Sequence, residues 1–350
     1  MPRSLGEITN DIKIGKVAKT FPEQVDIRPK RGHIEITTRC NLFCKQCARQ
    51  TLKLPEPYDM PFDHFVKIFD QFPYMRKLSI TGLSESLLNK DYFNMIRYAK
   101  SKQPIEIGSF SNGNILTDQM AENIIKSKVD NFNISTDAAT KEVYGQIRIG
   151  GKFDKVLENV ARLVQTRKRL NSKLPIIGLS MTLMKDNFGD AVKLVEIGKE
   201  LGVDSVGFGD LNLDWSTELK ELDRAKTNEI VAQVVQRAKE LGIHIAYNLM
   251  EDRACDEPFL YPYITAKGFL TPCCWRPYDK VFNFGNLLET PFDQLWNSEK
   301  IKKFRRDLAS GNVPGLCRGC VYTKKHLERN GIKPDFGSSA PSTTELPVIQ

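Results

Sequence analysis

Three cysteines, Cys40, Cys44 and Cys47, stand together in the segment CNLFCKQC. The spacing Cx3Cx2C places three thiolates in one short loop. Three sulfurs are one too few to ligate every iron of a [4Fe–4S] cluster, so one iron would stay open and could chelate a small molecule. The loop therefore predicts an iron–sulfur centre, with a zinc site and a chance run of cysteines as the alternatives.

The rest of the composition narrows the class of protein. A chain of 350 residues suggests one large α/β domain with a smaller unit, or two domains. The net charge of +8 is only mildly basic, which favours a solvated surface and predicts no nucleic-acid partner. We find neither a secretory apolar segment nor a run of about 18 apolar residues, so we expect a cytoplasmic protein without a membrane partner.

The cysteine count also indicates metal binding. In the reducing cytosol disulfides are rare, so eight cysteines that fall into clusters read as ligands. The four histidines are scattered and contain no metal-binding pair at i, i+4.

Short β-rich runs alternate with helical patterns as far as residue 241. The clearest helix is amphipathic and runs from Phe153 to Leu170. Six βα repeats predict an α/β fold with a parallel sheet, as a partial, open (β/α)6 TIM-like barrel; a doubly wound sheet is the alternative. The predicted strands cover residues 33–37, 77–81, 104–108, 130–135, 176–182 and 203–208.

The same pattern predicts four segments. Residues 1–32 form an N-terminal arm, 33–241 the partial barrel, 242–335 a small cysteine-rich domain and 336–350 a flexible Ser/Thr/Pro-rich tail. The three-cysteine loop follows the first strand, which agrees with the placement of active sites in the βα loops of barrels.

The context ITTRCNLFCKQCARQ resembles the radical S-adenosylmethionine (SAM) enzymes, and the resemblance extends over most of the chain. It implies that Cys40, Cys44 and Cys47 hold a [4Fe–4S] cluster whose open iron chelates the amino and carboxylate groups of SAM. Reductive cleavage of SAM would give methionine and a 5′-deoxyadenosyl radical that abstracts a hydrogen atom. The family usually has an aromatic residue before the third cysteine, where this chain has Gln46.

Further segments resemble the SAM-binding motifs of that family. The segment TGLSESLL looks like a degenerate GGEPLL motif and implies that Glu85 contacts the SAM ammonium group. The segment FSNGN is similar to the TNG turn and implies that Ser111 and Asn112 approach the ribose. By the same resemblance, Ser135 and Arg148 would hold the SAM carboxylate, which suits the planar fork of arginine. Each assignment has a plain structural alternative. Glu85 and Arg148 would be surface residues, the Asn-Gly pair an ordinary turn, and Ser135 a helix cap.

A second set of cysteines comprises Cys255, Cys273, Cys317 and Cys320. With the flanking Gx4C and Cx2C patterns, it resembles the twitch domain, the short form of the SPASM extension found in 2-deoxy-scyllo-inosamine dehydrogenase-type enzymes. The resemblance implies one fully ligated auxiliary [4Fe–4S] cluster; a four-cysteine zinc site would use the same ligands. Cys274 remains as a buried thiol, an alternative ligand or a redox thiol.

The resemblance leads to a primary functional hypothesis. The enzyme would oxidise a small polar substrate, such as an aminocyclitol or sugar, by two electrons, with the auxiliary cluster as electron acceptor and a flavodoxin- or ferredoxin-type electron donor. Asp210 and Asp214 follow the sixth predicted strand and are candidates for the general base, although polar loop residues are an equal interpretation.

Two other hypotheses remain open. The first is a maturase or epimerase that modifies a peptide or protein; the arm before His33 is short for a fused peptide-binding domain, which weighs against it. The second is a non-catalytic iron–sulfur or zinc protein for binding or redox sensing, favoured only by the degenerate GGE-like motif.

Overall fold

The computed structural model describes residues 5–50, 56–211, 224–248, 255–318 and 320–333. Every structural statement below refers to these residues. Asp214 and the predicted flexible tail 336–350 lie outside them.

The described residues contain a nine-stranded sheet in the order β7-β6-β5-β4-β3-β2-β1-β8-β9. Strands β1 to β7 are parallel and neighbour one another in chain order. A doubly wound sheet would reverse its strand order, so the structure favours the open barrel wall. The strands are β1 Arg31–Ile34, β2 Lys77–Ile80, β3 Glu106–Ser111, β4 Asn131–Ser135, β5 Ile176–Leu183, β6 Ser205–Asp210, β7 His244–Asn248, β8 Tyr263–Ile264 and β9 Leu270–Thr271.

The series β1 to β7 has one more strand than the six that the sequence pattern predicts. This strand, β7, lies at the open edge beside β6. Tyr247 in β7 is 57% exposed. Ile245 of this strand packs against the core, but His244 and Ala246 are exposed as well. The strand therefore lacks the apolar run that marks the six strands before it.

Helices follow most of the parallel strands. In α6 the predicted apolar face is confirmed, since Phe153, Val156, Val160 and Val164 are buried in the core. The helices are α1 Leu5–Thr20, α2 Phe62–Phe69, α3 Tyr92–Lys102, α4 Asp118–Ser127, α5 Lys141–Ile147, α6 Phe153–Arg169, α7 Ala191–Leu201, α8 Arg224–Leu241, α9 Glu257–Leu260, α10 Phe292–Leu295, α11 Glu299–Ser310 and α12 Val321–Arg329.

The C-terminal region packs onto the first strand of the barrel. Strand β8 pairs with β1 in parallel, with His33 opposite Tyr263, and β9 pairs with β8 in the antiparallel direction. Arg305 in α11 is fully buried, and its guanidinium donates to the backbone oxygens of Pro258, Glu23 and Trp296. This side chain therefore joins the N-terminal arm to the C-terminal region.

None of the helices in the described parts of the chain has both the length and the apolar character needed to cross a membrane.

Candidate functional site

A cavity of about 530 Å³ opens at the carboxyl ends of the parallel strands. Its volume lies within the range of small-molecule sites in proteins. The chain reaches it at the ends of successive strands, through Thr81, Ser111, Ser135, Thr182 and Asp210. The position is the one expected for an active site in a barrel-type fold.

The three-cysteine loop forms one wall of this cavity, with Cys40, Cys44 and Cys47 in its lining. The loop is held in place at the end of α5. Phe43 donates its N–H to the backbone oxygen of Ile149 and Lys45 donates to that of Ile147, both at 2.9 Å. Burial raises the pKa of all three thiols, and that of Cys44 to about 12. The donors fit a cluster with three protein sulfurs, whose binding would release these protons.

Glu85 lies beneath the cavity and is 1% exposed. Its carboxylate accepts the N–H of Asn112 at 2.7 Å and that of Leu87 at 3.3 Å. Burial raises the pKa of Glu85, while these hydrogen bonds and one from the Ser111 hydroxyl oppose the rise. The structure thus brings Glu85, Ser111 and Asn112 together at the ends of β2 and β3.

A second buried carboxylate, Glu35, explains the glycine of the GGE-like segment. A Cβ atom added at Gly82 would lie 2.2 Å from Oε1 of Glu35, so only glycine leaves room. Leu83 donates its N–H to the same oxygen at 2.9 Å. Burial raises the pKa of Glu35 to about 7, and the hydrogen bond from Leu83 opposes the rise. The sequence pattern gave no signal for this residue.

Arg148 and Ser135 also line the cavity. The Arg148 guanidinium donates to Oδ2 of Asp137, through Nε at 2.9 Å and Nη2 at 2.5 Å. This pair uses two of the five N–H donors of the guanidinium. Gln46 donates to the same Asp137 oxygen, and its own Oε1 is buried without a hydrogen-bond partner among the described residues. An orphaned acceptor in the cavity wall suits a polar ligand.

Sequence reasoning did not single out Asp137. The available signal was a charged residue just after the buried strand β4, where site residues of this fold lie. Its backbone has a φ of 54°, a left-handed conformation that aspartate adopts more readily than most residues. Asp210, the candidate base at the end of β6, lies in the cavity lining, whereas Asp214 lies outside the described residues.

The second cysteine set lies apart from the cavity. Cys255, Cys273 and Cys320 line a small void of about 30 Å³. Burial and the neighbouring charge of Cys320 together raise the pKa of Cys317 to about 12. Burial and the other cysteines likewise raise the pKa of Cys255. Four thiols placed together fit a fully ligated cluster or a zinc ion.

The C-terminal region also reaches the large cavity. Cys274 and Trp275 follow the auxiliary-set residue Cys273 and stand in the cavity lining. Trp275 lines both cavities. The segment 273–275 therefore runs from the second cysteine set to the cavity that contains the first set.

Comparison with known proteins agrees with this arrangement. The radical SAM superfamily model matches residues 34–196, and the SPASM model, an iron-sulfur cluster-binding domain, matches residues 255–321. The tungsten-containing aldehyde ferredoxin oxidoreductase cofactor-modifying protein of Pyrococcus furiosus is 27% identical over 78% of this chain and 82% of its own length. The AdoMet-dependent heme synthase of Methanosarcina barkeri is 24% identical over 83% of this chain and 88% of its own length.

Solved structures show the same fold. Streptococcus suis SuiB bound to S-adenosylmethionine has a TM-score of 0.70 and 14% sequence identity, and the match covers 89% of this chain and 75% of that one. The two matched domains imply SAM and [4Fe–4S] clusters as cofactors, as the cysteine motifs predict. The chain therefore contains a radical SAM domain followed by a C-terminal SPASM domain, which is an iron–sulfur cluster-binding domain.

Proposed function

We propose that this protein uses SAM to oxidise a small polar substrate by two electrons. Cys40, Cys44 and Cys47 hold the SAM-binding cluster in this proposal. The observation that carries it is one cavity. Its lining contains these three cysteines, the acidic and basic residues suited to SAM, and further polar residues on β5 and β6 that are not assigned to SAM. Cys255, Cys273, Cys317 and Cys320 hold the auxiliary cluster.

When bound, the first cluster supplies an electron for the cleavage of SAM, and the auxiliary cluster supplies an acceptor for an electron from the substrate. The protein orients the reactants. Arg148 donates to the SAM carboxylate from the N–H groups that Asp137 does not use, with Ser135 beside it, and Glu85 accepts from the SAM ammonium group. Ser111 and Asn112 contact the ribose.

In this proposal the substrate lies against the part of the cavity that β5 and β6 form, next to Ser135 and Arg148. Ser180 and Thr182 on β5 and Asp210 on β6 stand in this part of the lining. Hydroxyl and carboxylate groups can bind the hydroxyl groups of an aminocyclitol or a sugar. Asp210 accepts the proton of the carbinol that is oxidised, so that a ketone can form. Apolar residues such as Leu42 and Phe208 exclude water.

The names of the relatives add a second set of substrates to test. Proteins similar over most of this chain are named for the modification of a tungsten enzyme cofactor and for heme synthesis. A cofactor precursor therefore belongs beside polyols and sugars in any screen. SuiB, which shares the fold, has been solved with a precursor peptide, so peptides form the comparison set.

The test is anaerobic reconstitution, followed by iron analysis and mass spectrometry of 5′-deoxyadenosine. We expect about eight irons per chain, cleavage of SAM on reduction with dithionite or flavodoxin, and a product that lacks two hydrogens. Cleavage with about four irons would remove the auxiliary acceptor from the mechanism. Loaded clusters without any cleavage would instead support a binding or sensing role.

A further inference from the structure

Three potential metal ligands meet where the C-terminal region packs on β1. The ligand atoms of His33, Glu257 and Cys274 lie within 4.8 Å of one another, and all three side chains are half-buried. His33 belongs to β1, Glu257 begins α9, and Cys274 follows β9. None of the three is among the residues that the proposed function assigns to SAM or to the two clusters.

The three donors are chemically suited to one metal ion. An imidazole, a carboxylate and a thiolate are all ligands of Zn²⁺, and imidazole and thiolate also suit Fe²⁺. A cluster of iron and sulfide, in contrast, is held mainly by thiolates. Sites with three protein ligands keep a coordination position open for water or substrate.

A second observation on His33 points independently to a ligand. The ring nitrogen Nδ1 of His33 is buried and has no hydrogen-bond partner among the described residues. The ring stacks on Tyr263, with the ring centres 5.8 Å apart and the planes at 24°. The stacking holds the imidazole in one orientation. Buried polar atoms normally have a hydrogen-bond partner or a ligand, so the unpaired Nδ1 indicates that a ligand binds there.

We propose that His33, Glu257 and Cys274 bind one divalent transition-metal ion, Zn²⁺ or Fe²⁺, as a third metal site. Cys274 also lines the SAM cavity, so the ion lies at the cavity wall. Its open position can take an oxygen atom of a hydroxylated or anionic substrate. This last step rests on the proposed function, whereas the binding of the ion does not.

The test uses the protein with both clusters already loaded, so that the seven other cysteines are occupied. The protein is incubated anaerobically with Zn²⁺, desalted and analysed for zinc and iron. We expect one zinc per chain with no loss of iron. X-ray absorption at the zinc edge should show one sulfur at about 2.3 Å and nitrogen or oxygen at about 2.0–2.1 Å.

The variants His33→Gln, Glu257→Gln and Cys274→Ser should each weaken zinc binding at least tenfold, and Cys274→Ser should also remove the sulfur from the zinc shell. His244→Gln, which changes an exposed histidine in β7, is the matched control and should bind like the parent. The X-ray absorption spectrum of the zinc-loaded parent protein tests the proposal without any variant. A variant that folds poorly therefore does not prevent the test.

Three results would overturn the proposal: no zinc retained by the parent protein, equal retention in all variants, or a zinc shell of three or four sulfurs. Iron content and SAM cleavage are measured on the same samples. Failure of the metal site therefore remains distinct from failure of the proposed enzymatic function.

Discussion

Arg148 and Asp137 form a buried ion pair in the cavity wall, in which both guanidinium contacts fall on the same carboxylate oxygen. The other oxygen of Asp137 accepts the N–H of Thr182 at 2.7 Å. Asp137 is thus fixed by β5 and in turn fixes Arg148. We infer that Asp137 is a positioning residue, which orients the arginine toward the SAM carboxylate.

Arg148→Lys should weaken SAM binding about 10- to 100-fold, because a single ammonium group cannot reach both Asp137 and the SAM carboxylate with the same geometry. Lysine is chosen since alanine would leave Asp137 buried and unpaired, at a cost of about 3–5 kcal/mol. Anaerobic calorimetry measures the affinity. Arg169→Lys, in an exposed pair with Glu122, is the control, and equal affinity in both variants would contradict the assignment.

Glu85→Gln should also weaken SAM binding by about tenfold or more, while the iron content stays unchanged. The amide oxygen can still accept from Asn112, so only the charge is lost. Because burial raises the pKa of Glu85, SAM affinity of the parent protein should fall as the pH is lowered through that pKa. Titrations at several pH values check this, and a variant with the same pH dependence as the parent would refute it.

Cys317→Ala should lower the iron content from about eight to about four per chain, because the auxiliary cluster loses one of its four ligands. SAM cleavage without substrate should persist, and oxidation of substrate should be lost. Cys40→Ala serves as the counterpart and should abolish cleavage itself. Iron analysis and 5′-deoxyadenosine assays separate the two effects; full product formation by Cys317→Ala would exclude the auxiliary set from electron transfer.

Asp210→Asn should lower the rate of substrate oxidation by about 10²- to 10⁴-fold, the usual contribution of a general base. SAM affinity and iron content should remain those of the parent, because Asp210 ends β6 and is assigned neither to SAM nor to a cluster. Single-turnover product analysis measures the rate. A normal rate would exclude Asp210 as the general base.

Glu35→Gln should change how stability depends on pH. Burial raises the pKa of Glu35 to about 7 from 4.5. The folded protein therefore keeps a proton that the unfolded chain has lost, and the free energy of unfolding falls as the pH rises between these values. The variant lacks this fall, so relative to the parent it should gain about 2 kcal/mol between pH 5.5 and pH 8.

Anaerobic urea unfolding at both pH values measures the change. The comparison uses the difference in the free energy of unfolding between the two pH values. An unsatisfied amide in the variant lowers this free energy equally at both, so it does not affect the difference. Parallel pH profiles for the parent and the variant would show that Glu35 is ionised in the fold.

The cysteine clusters and the parallel sheet could be predicted because each depends on a local pattern. Cys40, Cys44 and Cys47 lie within eight residues, and strands buried in a sheet show as apolar runs. The seventh strand was missed because its side chains, Tyr247 among them, are largely exposed. Motif resemblance also singled out residues near the strand ends. Glu85 follows β2, Ser111 ends β3, and Arg148 follows β4 and α5.

Contacts between distant segments gave no sequence signal. Glu35 and Gly82 meet only when β1 and β2 pair, and the meeting of His33 with Cys274 depends on the docking of β8. Asp137 and Arg148 lie on either side of α5 in the sequence. The length of this helix determines which side chain at its C-terminal end reaches Asp137. Such relationships follow from the packing of whole elements, which a linear pattern does not specify.

The pairing of β8 with β1 has a consequence for the order of events during synthesis. The first strand leaves the ribosome early, but one of its two edges gains a partner only when Tyr263 and Ile264 emerge. Until then the nascent chain exposes an unpaired strand edge directly before the loop that carries Cys40. Completion of the sheet beside that loop is therefore a late step, which follows translation of all seven parallel strands from β1 to β7.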